Sequence, residues 1–226
     1  MDISRAKDIL DYWFPKNGEA DFNKWFMKSQ DFDDEITAKF GDLLVDAEDG
    51  LGFGWLVSKD SFLAYIILMD QFSRHIYRGD ADAFKNDNGV MIFTNLGFDL
   101  YKEQFKGYEF MFALMPYMHT ESREYQRKGG TIFHYQMKLY ENSGPRYTDP
   151  NQLPPQGQFM VQEQVELTQN QKEFKMLESM KTHVEGHSMV IGQYGRFPKR
   201  NEILGRKSTQ QEINYMNDGE VKKRPY

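Results

Sequence analysis

Apolar residues recur along this chain at spacings of three and four far more often than they alternate, so its patterned stretches read as amphipathic helices rather than strands. Ile3 to Phe14 is one such stretch, ended by Pro15. Asp31 to Ala47 sets Phe32, Ile36, Phe40 and Leu43 with Leu44 on one stripe and gives way to the glycine-rich Asp49-Gly50-Leu51-Gly52-Phe53-Gly54. Asp60 is placed to cap a helix running to about Tyr77, and Asp80 or Asp82 to start another that reaches Phe105. A short, strongly apolar helix over Gly107 to Tyr117 follows. Thr120 opens a helix to about Tyr140, within which Gly129-Gly130 leaves room for a neighbouring helix to come close. Phe174 to Tyr194 reads as one long helix, and Thr209-Gln210-Gln211-Glu212 as the capping box of the last one. The fold class expected is all-α, an antiparallel helical array in a single domain over residues 1–216.

Two stretches interrupt the pattern. Glu141 to Gly157 holds four of the eight prolines and little apolar material, which predicts an exposed loop insertion at 141–157. Gln158 to about Asn170 mixes partial alternation, Met160 to Leu167, with strong helix formers, so helix and strand both stay open there. The end of the chain, 217–226, is expected to be a mobile tail. No repeat of fixed period stands out.

Composition narrows the function classes. With 226 residues and 39% apolar residues, the chain can bury a sizeable core, and it is neither collagen-like nor globally disordered. No apolar window approaches the ~18 residues of a membrane span, and the first residues show neither a signal nor a transit pattern, so a cytoplasmic location with no membrane partner is expected. The absence of cysteine excludes disulfides, thiolate metal sites and Cys nucleophiles. A net charge of −6 argues against nucleic acid as a partner.

The candidate chemistry lies in charges that fall on apolar faces. At 100° per residue, the stripe Leu63, Ile66, Ile67 continues to Asp70 and Arg74, and Arg78 extends it into an i, i+4, i+8 ladder. Such a ladder is either a buried structural ion pair or the wall of a polar pocket. On the long C-terminal helix, Leu177, Met180, Val184, His187 and Ile191 align, so His187 points inward. His183 lies four residues before it, but no third metal ligand is evident, so neither a metal nor another cofactor is expected. His119 and Glu121 follow Pro116 at a break between helices, where they could face a cleft. Arg196, Lys199, Arg200, Arg206 and Lys207 form a basic segment around Asn201, suited to clamping a phosphate or carboxylate or to capping helix C-termini.

These segments taken together resemble the bacterial domain-of-unknown-function 924 family, related to tetratricopeptide-like helical folds. The carrying residues are Ile9 to Phe14, Trp25-Phe26, Phe32-Asp33, Met69 to Gly79, Ala83-Phe84 and Asp87. They continue through Met115 to Glu121, Gln126, and His187 through Arg206. Ser73 and His75 stand where the family usually has Pro and Asn, and Lys199 where it usually has His. The resemblance implies a helical fold and a polar site at Asp70, Gln71, Arg74, Arg78, His119, Glu121, His187, Arg196, Arg200 and Asn201, without implying a reaction.

Three functions fit this reading. The first is a helical binding module whose arginine-bearing groove takes an anionic small molecule or an acidic peptide terminus. The second is a hydrolase-type enzyme with His119 or His187 as general base, oriented by Glu121 or Asp70, and with arginines stabilising a developing anion. A scaffold subunit bound to a protein partner is the third, signalled if the 18 Phe, 13 Tyr and 13 Met turned outward. The convergence of Asp70, Arg74, His119, Glu121, His187, Arg196 and Arg200 on one site is the expectation that bears on all three.

Overall fold

The patterned stretches fold as helices, and no strand occurs among the residues that the computed structural model describes, 3–14, 22–50, 52–143 and 169–218. Residues 144–157 of the proline-rich stretch, the ambiguous segment as far as residue 168, and the end of the tail lie outside the described residues. Glu141 to Ser143, expected to open the loop, instead finish a helix.

The elements are α1 (Ala6–Trp13), α2 (Phe22–Phe26), α3 (Gln30–Glu48), α4 (Lys59–Ile66) and α5 (Ser73–Ile76), then α6 (Asp87–Tyr101), α7 (Tyr108–His119), α8 (Arg123–Ser143), α9 (Gln169–Tyr194) and α10 (Gln210–Asn217). Between α4 and α5 the chain does not leave the helix. It widens over Ile67–Phe72 into a π-helical stretch, in which the Ser73 N–H reaches back five residues to the Leu68 carbonyl. Asp60 is not the cap of α4: Ser58 and Ser61 form a reciprocal capping box, and Asp60 sits in the first turn, where a negative charge suits the helix dipole. The Thr209–Glu212 capping box forms as the sequence indicates.

One core joins α1 through α9. Its centre is an aromatic mesh in which the Trp13 indole meets Phe72 at 5.5 Å, Phe112 at 5.4 Å and Trp25 at 6.4 Å between ring centroids. Much of the aromatic surplus is spent there, since Trp13, Trp55, Phe62, Phe72, Phe98, Phe112, Tyr117 and Phe133 are almost wholly buried. Glycine allows α8 to approach α7: a Cβ on Gly129 would lie 2.5 Å from that of Tyr117, whereas a Cβ on Gly130 would meet nothing. Arg123, at the start of α8, donates to the carbonyl of Ile191 near the end of α9, and His134 faces Glu185 further along, so α8 and α9 run antiparallel.

Gly195, with φ of +71°, ends α9, and its N–H bonds to the Ile191 carbonyl at 2.9 Å. The chain then folds back so that Phe197 packs on Val190 and Ile191, with Tyr194 and Tyr215 alongside, as a small apolar cluster of its own. That turn carries the basic segment to the ends of α7 and α6.

Candidate functional site

Asp70 lies inside the π-helical stretch and is completely buried, as its place on the apolar stripe requires. Both carboxylate oxygens face the Nδ1 of His119, at 2.8 and 2.9 Å, from the last residue of α7. Gln71 donates its Nε2 to Oδ2 at 2.5 Å and also touches the sulfur of Met115, while Arg74 reaches Oδ1 at 3.4 Å. Burial alone would push the Asp70 carboxyl up. His119 and Arg74 overrule it, and the group is held down at about 2, so it is an anion at neutral pH. Since a carboxylate only accepts, Nδ1 carries a proton and Nε2 of His119 holds the lone pair when the ring is neutral. That Nε2 has no partner among the described residues, and the side chain is 18% exposed.

Arg74 extends the cluster to Asp87, on the first turn of α6, with its Nη2 at 2.8 Å from Oδ1 and its Nη1 at 3.1 Å from the Ala83 carbonyl. The other oxygen of Asp87 accepts from Nη1 of Arg200 at 2.8 Å, across 113 residues of chain. Two guanidinium groups therefore share one carboxylate. Arg200 also lies against two rings, 4.5 Å from the centre of Phe84 and 4.4 Å from that of Phe197, an arrangement favoured by the attraction of a cation for an aromatic face. Burial lowers its affinity for a proton, yet with a group of such basicity it remains a cation.

His187 completes this face. Its ring lies 6.1 Å from that of His119 and 5.5 Å from that of Phe197, and its Nδ1 donates to the His183 carbonyl at 2.7 Å. Burial, with His119 and Arg200 nearby, drives its pKa down to about 3, so the ring is neutral at pH 7.

Glu121 belongs to the support of the site. It accepts from Arg206 Nη1 at 2.6 Å and Nη2 at 3.0 Å, and from the backbone N–H of Phe197 at 2.8 Å. Burial would raise its pKa, but Arg206 and the Phe197 N–H hold it low. Arg206 in turn bonds to the Phe197 carbonyl, so the ion pair clamps the backbone beside Arg200. Asn201 is buried in the same turn, with its amide on Ser208.

Two predicted members are not brought into the cluster. Arg196 turns to Glu212 at the start of α10, with bonds of 2.6 and 2.8 Å, and to the Lys207 carbonyl. Arg78 lies beyond the last turn of α5, because the helix ends at Ile76, and it pairs with Asp33 of α3. His75 joins that second cluster, with Nδ1 at 2.7 Å from Asp33 and its ring between Trp13 and Phe32. Asp87, Phe84 and Arg206 are part of the site although the helical patterns did not single them out for it.

The described residues contain no group of three or more metal-ligating side chains that could hold an ion, and no helix among them is long and apolar enough to cross a membrane. Two open grooves of about 520 and 500 Å³ lie away from the cluster, one along α8 at Arg127, His134 and Lys138, the other between α1 and the start of α4. The cluster of charged side chains thus lies at the helix ends and not in either groove.

What the fold and the cluster define is an all-α protein with a buried Asp–His pair beside two arginines that share an aspartate. Residues 9–220 match the bacterial proteins of unknown function grouped as DUF924, and the chain belongs to that family. It is also similar to the solved structure of a protein of unknown function from Agrobacterium tumefaciens. The two are 26% identical with a TM-score of 0.68, over 96% of this chain and 98% of the other. Nothing among curated proteins matches.

Proposed function

We propose that this protein is a helical binding module whose cluster at Asp70, Arg74, Asp87, His119, His187 and Arg200 takes an anionic small molecule or the acidic terminus of a peptide. The observation that carries the reading is the sharing of Asp87 by Arg74 and Arg200. A purely structural pair would be matched charge for charge, because an uncompensated cation in a partly buried place is costly. Here Arg74 leans also on Asp70, but Asp70 already serves His119, so positive charge is left over whenever that imidazole is protonated. Calorimetric titration with phosphate and with carboxylates tests the reading. Binding by the wild type that is lost in Arg200→Gln supports it, and the absence of binding by any of these anions overturns it.

A second reading rests on the Asp70–His119 pair itself. A buried carboxylate that fixes Nδ1 and leaves Nε2 without a partner among the described residues is the arrangement of a general base. Under this reading the protein is a hydrolase-type enzyme, and turnover of a panel of esters, amides and phosphoesters would vanish in both Asp70→Asn and His119→Gln. Turnover that survived both changes would exclude it.

A further inference from the structure

The groove of about 520 Å³ along α8 takes no part in the cluster around Asp87, and we infer that it is a second binding site, for a nucleoside phosphate. Arg127, Gly130, Thr131, His134, Tyr135 and Lys138 form its wall at the spacing of a single helix face, and Ser188 of α9 lines it too. Its size is that of a small-molecule site, ~300–1,000 Å³. Two adjacent glycines occur here, and packing accounts for only one of them. A Cβ on Gly129 would lie 2.5 Å from that of Tyr117, while one on Gly130 would meet nothing within 4 Å. Since a glycine inside a helix is less stable than an alanine, Gly130 has a cost that no neighbour explains. It lines the groove, where any side chain would stand in the open space, so its bareness lets a ligand reach the helix backbone.

Charge sets the sign of the ligand. No lining residue is acidic, in a chain that carries 34 Asp and Glu against 28 Lys and Arg, whereas Arg127 and Lys138 make the wall cationic at both ends. Arg127 is exposed, and its guanidinium has no hydrogen bond or ion pair among the described residues. Its paired donors are therefore available to an oxyanion. Glu185 of α9, which stands beside the wall, is shared between His134 Nε2 and Lys181 Nζ, at 3.9 Å from each.

The rest of the wall sets the shape. Tyr135 lies ~12 Å from Arg127 along the helix axis, at 1.5 Å per residue, and is 62% exposed. An aromatic face left open in a cationic groove is a platform on which a planar base stacks. Between the cation and the ring stand groups suited to hydroxyls. Thr131 gives its proton to the Arg127 carbonyl at 3.0 Å and so offers lone pairs, and the Ser188 hydroxyl has no partner among the described residues. An oxyanion at one end, hydroxyls in the middle and a planar ring at the other end are the parts of a nucleoside phosphate, in the order in which the groove receives them.

Titration calorimetry of the full chain with adenosine monophosphate, adenosine and inorganic phosphate tests this. The nucleotide is expected to bind about tenfold or more tightly than either of its halves, because it alone reaches both Arg127 and Tyr135. In Arg127→Gln and in Tyr135→Leu its affinity should fall by about tenfold or more. Gly130→Leu should abolish binding with a melting temperature at or above that of the wild type, since leucine favours the helix and its Cβ meets no neighbour there. A nucleotide that binds no more tightly than phosphate, or that still binds Gly130→Leu, overturns the inference. Binding that is lost in Arg200→Gln but kept in Arg127→Gln overturns it too, by placing the nucleotide in the cluster around Asp87. A single-stranded oligonucleotide bound more tightly than the mononucleotide does so as well, by making the groove a nucleic-acid surface. The comparison of the nucleotide with its halves is made on the wild type and needs no variant to fold.

Discussion

The imidazole of His119 and the carboxylate of Asp70, 49 residues apart in sequence, meet with Nδ1 at 2.8 and 2.9 Å from the two oxygens, and Asp70 has no exposed surface at all. A group held at about 2 in the folded chain but near 3.9 when unfolded lends stability that is complete above pH 4 and lost as the pH falls toward 2. The shift corresponds to about 2–3 kcal/mol. Urea melts of the wild type from pH 7 to pH 2 should show this acid loss, and Asp70→Asn should have a flatter acid limb, from a lower starting stability at pH 7.

His187 contributes to the pH profile over a different window. Its pKa is pushed by burial to about 3, below the ~6.5 of an unfolded imidazole, so the stability it lends is present above pH 6.5 and declines as the pH falls toward 3. Histidine resonances followed by NMR should include one that does not titrate between pH 8 and pH 4, and it should disappear in His187→Gln. A His187 signal that titrates near 6.5 would contradict the burial argument.

Arg196 and Arg200 should separate in their effects although they stand four residues apart. Arg196 holds the buried Glu212, whose pKa it draws to about 2, so Arg196→Ala leaves that carboxylate with the Thr209 N–H but no cation. The melting temperature should fall, with the loss of hydrogen-exchange protection confined to the segment from Phe197 through α10. Arg200→Ala, by contrast, should weaken anion binding with a smaller change in the melting temperature.

The adjacent glycines of α8 give a paired control. Gly129→Ala drives a Cβ against Tyr117 and should cost about 1–3 kcal/mol as overpacking. Gly130→Ala enters open space and should stabilise by up to about 1 kcal/mol through helix propensity. Thermal melts of the two variants should move in opposite directions.

Much of the fold was legible because burial follows helical period: Leu177, Met180, Val184 and Ile191 are buried as their stripe requires, with His187 half-buried among them. Asp70 was legible for the same reason. The pairing of Arg200 with Asp87 was not, since it depends on how the turn after Gly195 returns to α6, and no local spacing encodes a contact over 113 residues. Arg78 was read onto the Asp70 row by assuming one unbroken α-helix. The helix instead widens before Ser73 and ends at Ile76, which delivers Arg78 to Asp33. Arg196 was assigned by the charge of its segment and by the family resemblance, and neither says which carboxylate lies within reach.

The widened turn at Ile67–Phe72 works as a phase shifter for everything after it. Bonds that reach back five residues add one residue to the turn, so the next residues are rotated by about 100° from where a continuous α-helix would carry them. Arg74 and His75 sit just beyond it and turn to different aspartates, Asp87 and Asp33, in two separate clusters. The alignment of both therefore hangs on a single count of residues. Taking one residue out of this stretch would swing the two side chains off their partners together, so the clusters around Asp87 and Asp33, although no bond joins them among the described residues, stand or fall as a unit.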